Sequence, residues 1–93
     1  MAKAGRHTEA IPVYAEIVEL ESKTLPPGHH YRATTFYEYA SSLVEADDLE
    51  TAERYARAAF CIYTENFGTE DDRSIDAAGL VIRIAGLKGD TEE

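Results

Sequence analysis

Apolar residues along this chain recur at spacings of three and four, and turn-rich stretches interrupt the pattern. From Thr8, the residues Ala10, Val13, Tyr14, Ile17, Val18, Leu20 and Leu25 keep the helical period, with Glu9, Glu16, Glu19 and Glu21 on the other side. Thr8 or His7 is the expected cap, Pro12 falls in a tolerant first turn, and Met1–Arg6 reads as a frayed lead-in. Pro26-Pro27-Gly28 ends the run, because it cannot continue a helix. A second helix is predicted from His30 to Ala46, with Ala33, Phe36, Tyr37, Ala40, Leu43 and Val44 as its apolar stripe. Asp47-Asp48 makes a tight turn and Asp48 caps a third helix, predicted from Leu49 to Asn66. Ala52, Tyr55, Ala56, Ala59, Phe60 and Tyr63 form its buried face. Glu50–Arg54 and Glu53–Arg57 are i,i+4 pairs in the favourable order, worth about 0.2–0.5 kcal/mol each. Asn66-Phe67-Gly68 reads as a stop, and Asp71 and Asp72 place negative charge at the start of a fourth helix. Ile75, Ala78, Leu80, Val81, Ile82 and Ile84 carry that helix to Leu87, Gly79 marks an expected close helix crossing, and Gly89 ends it. The expected fold class is all-α: four antiparallel helices joined by short loops.

The pattern repeats. The stretch Leu25–Ala40 has a degraded copy at Phe67–Ile82, and Ala10 aligns on Ala52 at the same offset (52 − 10 = 42). Two separate landmarks with one period indicate an internal repeat.

Composition narrows the partners. The chain has 93 residues, 18 acidic and 9 basic side chains, and a formal charge of −9. Such a surface repels nucleic-acid phosphates and anionic membranes, and a basic protein partner suits it better. Cys61 is the only cysteine, so there is no disulfide framework; on its helix it is expected to act as a small apolar filler. No window approaches 18 consecutive apolar residues and no charged-then-apolar leader starts the chain, so a cytoplasmic location is expected.

At Leu25–Ala40 the residues carry a family likeness. Leu25, His29, Ala33, Thr35, Phe36, Tyr39 and Ala40 match the junction phrase of tetratricopeptide repeats of the long, kinesin-light-chain type. Phe67, Gly68, Glu70, Ile75, Ala78, Val81 and Ile82 match it a second time. Gly5, His7, Glu9, Ala10, Pro12, Val13 and Tyr14, and again residues 48–55, resemble the phrase of the second helix of such a repeat. The resemblance implies helix hairpins stacked as a short right-handed superhelix. It divides the chain into a half repeat (7–25), a full repeat (30–66), a half repeat (72–87) and a flexible acidic tail (88–93). It also implies a non-catalytic module that binds a protein or peptide. In place of the family's paired peptide-holding asparagines stand Tyr37-Glu38 and Gly79-Leu80. The groove thus suits an aromatic or basic segment.

Other chemistry is sparse. His29-His30 in a turn do not present one tetrahedral site, and the family reading makes His29 a junction residue that caps or packs the next helix. Glu70-Asp71-Asp72 with Asp76 lacks the alternating ligands and central glycine of a calcium loop and reads as helix capping. Ser41-Ser42 has no glycine elbow and no partner base. No catalytic residue, cofactor or metal is expected. The candidate partner-binding residues are Tyr31, Phe36, Tyr37, Glu38, Asp76 and Arg83, and Tyr63 is a further expected surface contact. Two alternatives stand beside the binding module: a homodimer whose half repeats complete one another about a two-fold axis, and a fragment of a larger repeat-containing enzyme or motor adaptor.

Overall fold

Four helices account for the computed structural model, which describes the backbone of residues 2–92 and the side chains of residues 9–89. They are α1 (Ala2–Thr24), α2 (His30–Glu45), α3 (Leu49–Phe67) and α4 (Asp72–Glu92), and the described residues contain no strand. Short turns join them, so successive helices pack antiparallel: α1 on α2, α2 on α3, α3 on α4, with a lighter α2–α4 contact. The fold is all-α.

Local chemistry sets the boundaries. His29 Nδ1 accepts the Tyr31 N–H at 3.1 Å and so caps α2, and Asp48 Oδ1 accepts the Thr51 N–H at 3.4 Å at the start of α3. Between them Asp47 takes φ 68°, a left-handed conformation that aspartate tolerates. Gly68 closes α3 at φ 88°, where a side chain would strain the backbone. Asp71 Oδ1 accepts the Arg73 N–H at 2.9 Å as α4 begins, and Ser74 Oγ donates to the Gly68 carbonyl at 2.7 Å. Asn66 Nδ2 reaches back to the Gly28 carbonyl at 2.8 Å, tying the end of α3 to the α1–α2 turn.

The outer ends differ from expectation. α1 begins at Ala2 and runs through His7 and Thr8, so neither is its cap and Pro12 lies inside the helix. Residues 2–6 are helical rather than a lead-in, and Met1 lies outside the described residues. α4 continues through Gly89 to Glu92, so residues 88–92 form a helical end in place of a flexible tail; Glu93 is not among the described residues. A helical glycine costs about 1 kcal/mol without forcing a stop, and Lys88 Nζ docks on Glu53 Oε1 at 2.7 Å one residue earlier.

The core is thin and rich in alanine. One cluster joins Ala33, Phe36, Ala59, Ile62, Tyr63 and Ala77, and the other joins Ala40, Leu43, Ala52, Ala56, Leu80 and Ile84. Alanines on facing helices let the backbones approach closely, while the larger side chains fill what remains. Several expectations fail here. Tyr63 and Phe36 are buried, as their places in the apolar stripes predict, so neither is the surface contact it was also expected to be. Cys61 is exposed and fills nothing. A Cβ at Gly79 would meet nothing within 4 Å, so no helix crosses there. Leu80 and Ile84 are buried as expected, but Ile75 and Ile82 are exposed, and Ser74 and Ala77 complete the buried face of α4. Of the two helical ion pairs, Glu53–Arg57 forms at 2.9 Å, whereas Arg54 lies 5.9 Å from the Tyr55 ring centre and does not pair with Glu50.

Candidate interaction surface

The six candidate residues occupy four places. Tyr37, Asp76 and Arg83 come together where α2 meets α4. Asp76 and Arg83 are two helical turns apart on α4, so they share a face. Tyr37 is half-buried, and its phenol is pushed above the usual tyrosine range by burial first, then by the Asp76 carboxylate and the Tyr63 hydroxyl. The Arg83 guanidinium partly offsets that rise. The Tyr63 hydroxyl shares a 2.7 Å hydrogen bond with Thr34 Oγ1, which fixes the phenol at the edge of the same surface. A neutral phenol, a carboxylate and a guanidinium thus stand close together, each able to meet a different group of a peptide.

Glu38 belongs elsewhere. Its carboxylate faces Tyr14 of α1: burial, followed by the Glu38 charge and a hydrogen bond to it, raises the Tyr14 phenol. It therefore fastens α1 to α2. Thr35 does the same one turn earlier, donating to Glu21 Oε2 at 3.2 Å. Phe36 packs in the core against Tyr55, with ring centres 5.4 Å apart, and is closed to a partner.

Tyr31 is exposed at the opening turn of α2, within a group of rings. His29 and His30 stack at 4.8 Å, Tyr31 lies 4.7 Å from each, and His30 meets Phe67 edge-on at 5.4 Å. Arg73 covers Phe67 at 3.7 Å and pairs with Asp71 at 3.0 Å. Hydrogen bonds from Arg73 hold the Asp71 carboxyl below its ordinary range, and the same pair raises Arg73. Phe67 entered the sequence reading only as a junction and helix-stop residue, and Arg73 escaped it, although Arg73 stands 42 positions after Tyr31. Thr34 was missed too; a threonine between two tyrosine-bearing turns gives no periodic signal.

Among the described residues no group of three or more His, Cys, Asp or Glu side chains is arranged to hold a metal ion, and no helix is long and apolar enough to cross a membrane. A shallow hollow of about 260 Å³ lies on the outer face of α1, lined by Glu16, Glu19, Leu20 and Lys23. Compared with protein-family models, curated proteins and solved structures, the chain matches none.

Proposed function

We propose that this chain is a non-catalytic interaction module of tetratricopeptide type, holding a protein or peptide segment against the α2–α4 surface. The observation that carries the reading is the convergence of Tyr37, Asp76 and Arg83 on one open surface of a repeating helical scaffold. A half-buried phenol offers a rigid contact at small entropic cost, and charges of both signs beside it orient a polar backbone. The formal charge of −9 favours a basic or aromatic-rich segment and disfavours nucleic acid and anionic membranes. A cytoplasmic setting fits such a module.

A displayed peptide library selected on the pure protein tests this. Peptides rich in Lys, Arg or aromatic residues are expected, and Tyr37→Ala with Arg83→Ala should weaken them at least tenfold, while Cys61→Ser leaves them unchanged. Selection that returns no sequence preference, or binding untouched by the double variant, refutes the reading.

A further inference from the structure

Among the described residues, four of the six exposed large apolar side chains are Val13 (54% exposed), Leu20 (61%), Ile75 (53%) and Ile82 (71%). They are not scattered. The repeat seen in the sequence is also a repeat of contacts: α2 and α4 open at His30 and Asp72, which are 42 positions apart (72 − 30). Moving each exposed residue by that period lands it inside the α2–α3 contact. Val13 and Leu20 map on Tyr55 and Ile62 of α3, and Ile75 and Ile82 map on Ala33 and Ala40 of α2.

Those counterparts share the core clusters between α2 and α3. Ala33 and Ile62 belong to one core cluster, while Ala40 and Tyr55 pack in the other. Transposed, they pair Ile75 with Leu20 and Ile82 with Val13. The bare face of α4 is therefore a copy of the α2 face that receives α3, and the bare face of α1 is a copy of the α3 face that lies on α2. The buried faces obey the same rule. Ala77, Leu80 and Ile84, which α4 buries, correspond to Thr35, Glu38 and Ser42, the α2 side turned toward α1. Larger side chains at the two isoleucines are balanced by Gly79 and Gly86, which stand where α2 carries Tyr37 and Val44 and leave open space.

We infer that α4 of one molecule takes up α1 of a second copy, reproducing the α2–α3 packing between molecules. Two different faces meet, so the contact is heterologous and continues head to tail until it closes as a ring or runs on as a filament. One helix seated on another is a small contact, and the chain's charge opposes it: the transposed counterpart of the Thr34–Tyr63 pair is Asp76–Glu21, two carboxylates. Association is thus weak at low ionic strength and strengthened by salt, which shortens the screening length from about 30 Å at 0.01 M to about 3 Å at 1 M. The inference rests on the repeated packing and shares only Asp76 with the α2–α4 surface.

Sedimentation of the reduced full chain over rising concentration, in low and high salt, tests it. The weight-average mass should climb past twice that of the monomer, and further in high salt. Ile82→Asp and Leu20→Asp lie on exposed positions and should keep the native circular dichroism, yet each alone should stay monomeric. Mixed one to one, they should form a heterodimer and nothing larger, because one intact α4 face meets one intact α1 face. A monomeric wild type at every concentration overturns the inference. So does a Leu20→Asp protein that still dimerises, or a mixture that yields no heterodimer, since either result marks a contact between like faces or none.

Discussion

Replacing Pro12 by alanine asks directly how α1 is built. Pro12 lies near the middle of a helix of 23 residues, with an exposed ring, so truncating it removes little packing. Inside a helix proline offers no N–H to the carbonyl four residues back, that of Thr8, and its ring crowds that oxygen. The cost against alanine is about 3 kcal/mol. Alanine also frees the unfolded chain, which returns about 0.4–1 kcal/mol. The net gain expected for Pro12→Ala is about 2–2.5 kcal/mol. For a domain of this length 1 kcal/mol shifts the melting temperature by about 4–8 °C, so the midpoint should rise by roughly 8–20 °C. Thermal melts followed by far-UV circular dichroism measure both the midpoint and the added helicity of the first turns. A gain below about 0.5 kcal/mol with unchanged helicity refutes the reasoning, because it would mean that Pro12 does not interrupt the interior of a helix.

Two further outcomes follow from the packing and the ion pairs. Ile84 is fully buried between α3 and α4, and Ile84→Ala should cost about 2–5 kcal/mol, seen as a lower urea midpoint with an unchanged slope; a loss under about 1 kcal/mol would mean that α4 is not seated on α3. Glu53 is held below its ordinary carboxyl value of 4.5 by hydrogen bonds from Lys88 and then Arg57. Because the folded value is the lower one, its stabilisation is full above the unfolded value and fades as pH falls through the folded one. Wild type should therefore melt above Glu53→Gln at pH 6, with the gap closing as pH falls below 4.5; a gap independent of pH would show that these bonds do not stabilise the fold.

Helix type and order were legible because the apolar period is strong and each internal boundary carries its own chemistry. His29, Asp48 and Gly68 mark ends by bonds that need only neighbouring backbone, and a single sequence displays such bonds openly. The outer ends were not legible. Pro12 and Gly89 are breakers by propensity, and only the rest of each helix decides whether the penalty is absorbed. The face of α4 was misjudged for a related reason. Ile75, Ala78, Leu80, Val81, Ile82 and Ile84 are all apolar, so the pattern singles out no one stripe, and only the position of α3 selects Leu80 and Ile84, with Ala77, over Ile75 and Ile82. Of the candidate residues Tyr37, Asp76 and Arg83 converge, which their spacing did not reveal, while Phe36 is drawn inward by Tyr55 and Glu38 is drawn aside by Tyr14.

The thiol of Cys61 sits on the open surface of α3, and the chain has no other cysteine. In air, two molecules have one way to become covalently joined, and the resulting species would imitate a dimer while owing nothing to helix stacking. The same solitude makes the residue a natural ruler. A spin label attached there marks every molecule once, without mutation, and the spacing between labels would distinguish copies strung in one direction from copies facing one another.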